Sequence, residues 1–540
     1  MVAFQEALIL LLITTILSIV ARWIPWPRPI TYVVGGVGFA LIPKFPQLAL
    51  DPGFFFLCFL PPLLFSDGWL MPLREFTKAK RPIILLATGL VVLTTVGVGL
   101  VAHWLIPGLP LAMAFALGAV VSPTDAVAVG AVTKRLKIPT RVTIVLNGES
   151  LMNDATGLVA FKFALAALVA GTFSLRAAAF DFVLLAAGGL ALGLVVGWLV
   201  GRLRDLLIRT HNADPLIELT LSLLTPYAAY LAAEPFGISG ILAVVAAGLY
   251  SGWRDPVRMD AETRQTAWIV WSTVLFWLNG LAFVLLGLQF PALLATVHGS
   301  YSLLQLTGLV AAVAGAVMVL RMAWVFPAAY LPFVVSRKVR KTEKRPTWQA
   351  VFLCGWAGIR GTVTLAAALS IPLLMPDGKL FPYRHIVIFL ALGVIAATLL
   401  IQGTTTEWVI RRLGLHEDGI RQKEDNLART AAIGAGLKAL RALESPDNSA
   451  AKNAALKHVL AEYEERLAEL VAEIEDRRTH ARARLAAEKQ FRFAALEAER
   501  KAVDDLWTRS IITDEVHRPL QQLLDHEEAM LHAQSAQPAE

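Results

Sequence analysis

Long apolar segments separated by short loops fill the first 413 residues of this chain. A helix needs about 20 apolar residues to cross a bilayer, and fewer where it is broken and shielded by protein. The segments that meet this criterion are 4–22, 30–43, 53–70, 82–105, 110–133, 141–171, 178–203, 214–233, 237–252, 265–289, 302–333, 347–373 and 384–410. A long apolar segment that crosses lipid must be helical, because lipid offers its backbone no partners. We therefore expect an all-α polytopic membrane protein with about 13 spans.

The charges in the loops indicate an orientation. Of the 540 residues, 56% are hydrophobic, the mean hydropathy is +0.60 and the formal net charge is +7. The basic residues lie in short loops at the membrane surface, so we expect no nucleic-acid partner. If the N-terminus is outside, the outer loops carry only four basic residues, namely Lys44, Arg176, Lys379 and Arg384. This asymmetry predicts an N-terminus outside, a C-terminus inside and an odd number of spans.

The composition changes after Leu413, which suggests a boundary between residues 1–413 and 414–540. The second part is charged, is rich in Ala, Glu, Arg and Leu, and contains no predicted span. Apolar residues alternate there in steps of four and three from Leu456 to Ile474, as in a short coiled-coil seam. We expect a cytosolic helical domain, which could form a helical hairpin or a dimer contact and could be regulatory.

The densest set of ionisable groups in the apolar part lies between Ser122 and Lys162. A carboxylate at the centre of a membrane helix costs about 2.5–3.5 kcal/mol on insertion scales. Three acids lie here within 30 positions: Asp125, Glu149 and Asp154. Ionisable residues inside a membrane segment usually mark an ion or proton pathway. A purely structural cluster of hydrogen-bonded polar groups is the alternative.

Spacing predicts the chemistry of this stretch. Glu149, Ser150, Asn153 and Asp154 lie at positions i, i+1, i+4 and i+5, which is one face of a helix. Asp125 follows a proline, which removes a backbone donor and frees carbonyl groups to face a cation. Carboxylate, hydroxyl and backbone oxygens together suit a hard cation such as Na⁺.

A second interruption lies in the twelfth predicted span, in the stretch GWAGIRG at 355–361. Glycines loosen a helix, and Arg360 needs a partner at membrane depth. The two interrupted spans, the fifth and the twelfth, occupy corresponding places if spans 1–6 and 8–13 are inverted repeats. Paired broken helices indicate the binding site of a secondary transporter.

Several stretches resemble one transporter family. The motifs SPTDAVAV, GESLMNDATGLV and WAGIRGTVTLAAALSIP are similar to the Na⁺/H⁺ exchanger branch of the monovalent cation:proton antiporters. LPPLLFSDGW and WLNGLAFVLLGLQF resemble bacterial members of that branch. The motifs occur in the family's order, and the resemblance covers residues 1–413.

The resemblance implies roles for the residues that match its motifs. Asp154 would be the main carboxylate that binds the cation and the proton. Asn153 before it gives the Asn-Asp pair of the electroneutral branch. Asp125, Ser150 and the carbonyl of Thr124 would complete the shell around Na⁺.

The resemblance also implies an ion pair and leaves one ligand open. Glu149 would pair with Arg360 across the two helices. Members often carry an acid four residues after the Pro-Pro of the third span, where this chain has Ser66, followed by Asp67. A water molecule, Ser66 or Asp67 could take that acid's place.

Two further polar residues lie in apolar spans. Arg321 in the eleventh span needs a partner, and estimated depth suggests Glu218. Asn279 in the tenth span could lie near the ion path or form a bond between helices.

From these observations we expect a transporter, not an enzyme, with no cofactor beyond the transported ions. It would exchange a monovalent cation, Na⁺ first, for H⁺ across a bacterial cytoplasmic membrane, electroneutrally, in pH and Na⁺ homeostasis. The resemblance implies a homodimer. The alternatives are K⁺/H⁺ exchange on the same scaffold, a transporter-like sensor that signals through the tail, and a channel.

Overall fold

The computed structural model shows a helical protein. It describes residues 2–24, 26–43, 52–125, 128–130, 138–170, 175–210, 214–375, 378–415, 420–444, 449–475, 480–509, 511 and 514–535. Within these ranges the regular structure is helical, apart from one isolated β-bridge between Leu374 and Leu380. The chain divides into two compact units, residues 1–418 and 419–540.

A helix lies at each of the predicted spans. In the first half these are α1 (Val2–Val20), α2 (Arg28–Ala40), α3 (Pro52–Trp69), the short α4 (Leu73–Lys78) and α5 (Lys80–Ile84), α6 (Val91–Leu105), α7 (Leu111–Val120) and α8 (Thr140–Ala170). Then follow α9 (Leu175–Arg209), α10 (Pro215–Ala233), α11 (Gly240–Arg258), α12 (Ala261–His298), α13 (Leu303–Val335), the short α14 (Arg337–Thr342), α15 (Trp348–Trp356), α16 (Thr362–Leu369) and α17 (Arg384–Leu413). Within the described residues, seven helices are long and apolar enough to cross a membrane. The number of spans and their orientation stay predictions.

The two predicted helix breaks are confirmed. Helix α7 ends at Val120, the chain is not helical from 122 to 125, and helical residues resume at 128–130. Helix α15 ends at Trp356, and α16 begins at Thr362 after five non-helical residues. The first break contains a proline, and glycines lie in and beside the second, as expected for residues that interrupt a helix.

A π-helical turn at Leu85–Leu90 joins α5 to α6. A π turn loosens the regular hydrogen-bond ladder, so side chains from neighbouring helices can reach its carbonyl groups. The hydroxyl of Thr156 donates to the Ala87 carbonyl at 2.6 Å, and the indole of Trp324 donates to the Leu85 carbonyl at 3.0 Å. This segment is therefore bonded to both α8 and α13.

Helices α3 and α11 pack backbone to backbone. A Cβ atom at Gly252 would lie 2.2 Å from the carbonyl oxygen of Trp69, so this contact requires glycine. The Trp69 indole donates to Asp255 at 3.2 Å, and Asp255 forms a buried ion pair with Arg204 of α9 at 2.8 Å. These contacts fix the end of α3 that follows the polar pair Ser66-Asp67.

The described residues of the second unit form four helices, α18 (Ile420–Arg441), α19 (Ala450–Glu475), α20 (His480–Thr508) and α21 (Asp514–Ser535). They pack in two pairs, α18 with α19 and α20 with α21. Leu460 and Leu470 of the predicted seam are buried, and Leu496, Leu524 and Leu531 form a small apolar core in the second pair. The tail is helical, as expected, and its cytosolic location and possible dimer contact stay predictions.

Candidate functional site

The two helix breaks lie side by side in the first unit. The backbone N–H of Asp125 donates to the carbonyl of Ile359 at 2.8 Å. In the other direction, the guanidinium of Arg360 donates through Nε to the carbonyl of Val121 at 2.9 Å. Each break therefore satisfies a backbone group that the other leaves without a helical partner.

Asp125 lies at the start of two helical segments. Its Oδ1 accepts from the N–H of Ala128 at 3.0 Å, and its Oδ2 accepts from the N–H of Thr362 at 3.1 Å. Helix N-termini favour a negative charge, so an aspartate is a suitable acceptor for both N–H groups. A Cβ atom at position 361 would lie 1.7 Å from Oδ2, so Gly361 is required for the carboxylate to come this close.

Arg360 occupies the opposite ends of the broken helices. Its fully buried guanidinium donates to the carbonyls of Val121 and Gly358, and its backbone N–H donates to the hydroxyl of Thr398 at 3.2 Å. Carbonyl ends of helices carry partial negative charge, which a cation stabilises. At this crossing, Asp125 therefore lies at the N–H ends of the broken helices and Arg360 lies at their carbonyl ends.

The predicted pair between Glu149 and Arg360 is wrong. Glu149 instead pairs with Arg321 of α13, whose Nη1 donates to Oε1 and whose Nη2 donates to Oε2 at 3.0 Å. Both side chains are 0% exposed. The physical reason is that the helix breaks free backbone carbonyls, and the guanidinium of Arg360 donates to those carbonyls instead of to Glu149.

The suggested pair between Arg321 and Glu218 is also wrong, because Arg321 pairs with Glu149 instead. Arg321 adds bonds to the carbonyls of Gly355 at 3.0 Å and Cys354 at 2.7 Å, which lie in the last turn of α15. One arginine therefore neutralises the buried acid and caps the broken helix. The sequence feature that indicated a buried partner for Arg321 was its position as a lone arginine in an apolar span.

The polar face of α8 forms hydrogen bonds to the first helix break through Thr124. Ser150 donates to the Thr124 carbonyl at 2.7 Å, and the amide of Asn153 donates to the Thr124 hydroxyl at 2.8 Å. That hydroxyl donates in turn to Glu149 at 3.3 Å. The residues predicted to lie on one helix face are thus brought together with the break.

Three carboxylates line one small cavity at this crossing, those of Asp67, Asp125 and Asp154. Thr124 and Ser150 line it as well, whereas Asn153 does not. Asp154 is 3% exposed, and its Oδ1 has no hydrogen-bond partner in the described part of the chain. The cavity therefore holds a buried carboxylate oxygen that is free to bind a cation or a proton.

The choice between Ser66 and Asp67 follows from the rotation of α3. Ser66 is fully buried and donates back to the carbonyl of Leu63 at 2.7 Å, so its hydroxyl is used within its own helix. Asp67 lines the cavity with Asp154. Of the two residues, Asp67 is the one in a position to replace the family's acid.

Three cavity-lining residues carry neutral side-chain oxygens that the predicted shell did not include. They are Asn279 of α12 and Thr362 and Thr364 of α16. Among the residues that the structure describes, no three Asp, Glu, His or Cys side chains are arranged to hold a metal ion. A cation in this cavity would therefore take part of its shell from neutral oxygens. The only signal in the sequence was a polar residue in an apolar span.

Comparisons with known proteins identify the family. A family model described as the transmembrane part of sodium/hydrogen exchangers matches residues 8–412. The chain belongs to the sodium/hydrogen exchanger family. Members of this family are transporters, so this exchanger is a membrane protein and not an enzyme.

Relatives of this exchanger cover most of the chain. A "Sodium, potassium, lithium and rubidium/H(+) antiporter" from Bacillus pumilus is 42% identical over 404 residues, which are 74% of this chain and 60% of that protein. The chain thus spans less than two thirds of that relative. An "Uncharacterized Na(+)/H(+) exchanger", YjcE of Escherichia coli, is 35% identical over 546 residues and 98% of both chains.

A solved structure shares its fold with most of the exchanger. The sodium proton antiporter MjNhaP1 from Methanocaldococcus jannaschii matches with a TM-score of 0.58 and 18% identity, over 76% of this chain and 99% of that one. This likeness shows the all-helical antiporter fold. The family resemblance predicted from the motifs is confirmed.

Proposed function

We propose that this protein exchanges a monovalent cation, Na⁺ first, for H⁺ across the membrane. The observation that carries the proposal is the buried Oδ1 of Asp154, which has no partner within the described ranges and lies in a cavity shared with Asp67 and Asp125. An isolated carboxylate in a buried site is costly, so Asp154 favours holding either a cation or a proton. A site that holds one or the other, and reorients only when occupied, exchanges them.

The surrounding groups decide the charge moved in each cycle. The Glu149 charge is offset by Arg321, and the Asp125 carboxylate is held by two backbone N–H donors. If Asp125 and Asp67 each keep one protonation state throughout the cycle, only Asp154 exchanges Na⁺ for H⁺. The cycle then moves one cation for one proton and no net charge.

A K⁺/H⁺ exchanger is the second candidate. It is favoured by the Bacillus pumilus relative, whose name includes sodium, potassium, lithium and rubidium. Asp154 makes no distinction among these ions by charge, so size and ligand number would set the preference.

We further propose that the exchanger works in a bacterial cytoplasmic membrane, as a homodimer, with Na⁺ and pH homeostasis as its role. The bacterial relatives support this location. In the orientation that the loop charges predict, the second unit is cytosolic and could regulate transport.

The test of the exchange is ion flux in proteoliposomes that contain the purified protein. With a pH gradient imposed, Na⁺ or K⁺ added outside should release protons from the lumen, and Asp154→Asn should not. Asp125→Asn and Ser150→Ala should raise the half-saturating Na⁺ concentration. Wild-type protein that moves none of these cations against protons would refute antiport.

A separate measurement tests the stoichiometry. Vesicles with equal pH and equal Na⁺ on both sides receive a potential from K⁺ and valinomycin, where one charge across 100 mV corresponds to about 2.3 kcal/mol. One-for-one exchange should move no Na⁺. Potential-driven uptake would contradict it, and loss of that uptake in Asp67→Asn would identify Asp67 as the second titrating group.

A further inference from the structure

Asn279 places a neutral oxygen at the cavity. Its Nδ2 donates to the carbonyl of Leu275 at 2.8 Å, one turn earlier in α12. The opposite amide orientation would set two acceptor oxygens against each other at this distance, so the orientation is determined by the bond. Asn279 is 9% exposed, and its Oδ1 has no partner in the described part of the chain.

Thr364 brings a second neutral oxygen from another helix. Threonines in this chain often donate to the carbonyl four residues earlier, as Thr14 does to Leu10 and Thr225 does to Leu221. Thr364 is the third residue of α16, so the residue four positions before it, Arg360, lies in the break. Its hydroxyl is buried, at 1% exposure of the residue, and is unpartnered within the described ranges.

Two buried oxygens without partners are unfavourable unless something binds them. Both residues line the cavity that contains Asp67, Asp125 and Asp154. The described carboxylates do not form a metal-ion site by themselves. A hard cation that takes its ligands from carboxylates and neutral oxygens would satisfy both groups.

We infer that Asn279 and Thr364 contribute neutral oxygens to the shell of the transported cation and determine which monovalent cation the site prefers. This inference rests on the proposed antiport at the same site. Ligand number and cavity size govern selectivity between hard cations. Larger ions such as K⁺ and Rb⁺ accommodate more ligands than Li⁺, so they depend most on these two oxygens.

The experiment measures cation-driven proton release from proteoliposomes as a function of Li⁺, Na⁺ and K⁺ concentration. Asn279→Ala and Thr364→Val each remove one oxygen. Each should raise the half-saturating Na⁺ concentration on the order of 10-fold, the change that a lost bond to a charged group typically gives. The rise should be larger for K⁺ than for Li⁺, with the maximal rate retained.

Matched variants separate a ligand from a structural role. Thr364→Ser keeps the hydroxyl and should restore the wild-type cation dependence. Thr225→Val removes a buried hydroxyl of α10 that bonds its own helix and lies outside the cavity lining, so it should leave the dependence unchanged. If Asn279→Ala fails to fold, the Thr364 pair decides.

The outcomes distinguish this inference from the function on which it rests. If wild-type protein shows no cation-coupled proton flux, the proposed antiport fails and the inference fails with it. If wild-type protein exchanges ions but Thr364→Val and any folded Asn279→Ala keep its half-saturating concentrations, only the inference is overturned. A loss confined to the maximal rate, with unchanged cation preference, would also overturn it.

Discussion

Two ion pairs in this molecule use the same chemistry in opposite surroundings. Glu149 and Arg321, at the helix crossing, are each 0% exposed. In the tail, Glu497 and Lys501 lie one helical turn apart, and their side chains are 69% and 76% exposed. The first pair is surrounded by protein and the second by water.

The comparison teaches that burial, not the presence of opposite charges, decides what an ion pair does. A buried charge loses its hydration and depends on its partner, so losing the partner is severe. An exposed pair keeps most of its hydration and gains little from the contact. Charges in the first unit therefore specify the geometry of a site, whereas most charges in the tail keep its helices soluble.

The extreme case is the buried carboxylate of Asp154, whose Oδ1 has no partner among the residues that the structure describes. Asp154→Asn keeps the shape of the side chain but removes the charge for which Na⁺ and H⁺ compete. We expect complete loss of exchange with normal abundance in the membrane, measured by proton flux in proteoliposomes. Substantial exchange by well-folded mutant protein would place the site elsewhere.

The buried pair itself gives the next largest effect. Arg321→Ala leaves Glu149 buried without its base, and breaking a buried pair typically costs about 3–5 kcal/mol. We expect a large loss of thermal stability or abundance, and a smaller loss for Glu149→Gln. The double variant should recover part of the loss, so a thermal-shift cycle with purely additive losses would contradict the pairing.

A third prediction concerns two neighbours on α3 that differ in what they face. Asp67→Asn should raise the half-saturating Na⁺ concentration, because Asp67 lines the cavity. Ser66→Ala removes a hydroxyl that bonds only its own helix and should change transport little. Equal effects of the two substitutions on Na⁺ dependence would refute the assignment of Asp67.

A partly buried pair in the tail, His517 and Asp504, should have an effect that depends on pH. His517 bonds Asp504 at 2.8 Å, and this bond lowers the pKa of Asp504, with Gln521 contributing in the same direction. A carboxyl with a lowered pKa in the folded state stabilises it above the unfolded pKa of about 3.9, and this contribution is lost as pH falls further.

We therefore expect Asp504→Asn to speed hydrogen exchange in α20 and α21 of the full-length protein near pH 6. After correction for intrinsic rates, the difference from wild type should shrink as pH falls below about 4, because the Asp504 carboxylate is then protonated in the folded state as well. A difference that persists unchanged in acid would rule out the Asp504 charge as its cause.

The smallest effect should come from the exposed pair of the opening comparison. Lys501→Ala should not change the thermal unfolding of the full-length protein measurably, because both partners stay hydrated. A shift in the unfolding temperature as large as that of Arg321→Ala would contradict the distinction between buried and exposed ion pairs.

Local signals in the sequence were sufficient for the helices and their breaks. Apolar segments of the required length became helices, and a proline and glycines marked the interruptions. The polar face of α8 was also predictable, because positions one turn apart must share a face. These features depend on residues that are close together in the chain.

The partners within the site could not be predicted in the same way. Which arginine reaches Glu149 depends on where the fold places α13 relative to α8, and hydropathy does not contain that information. The family resemblance predicted Arg360 as the partner of Glu149. The N–H groups of Arg360 instead donate to carbonyls at the helix breaks. Likewise, the side chains of consecutive residues in a helix point about 100° apart. For this reason α3 presents Asp67 rather than Ser66 to the cavity.

The π-helical turn at Leu85–Leu90 has a consequence for how the sequence can vary. Such a turn carries more residues than an α-helical turn, so deletion of a single residue there could restore an ordinary helix without misaligning the flanks. Elsewhere in a span, a deletion would rotate all the following side chains out of place. Length variation should therefore be tolerated at this turn better than anywhere else in the span, at the expense of the bonds from Thr156 and Trp324.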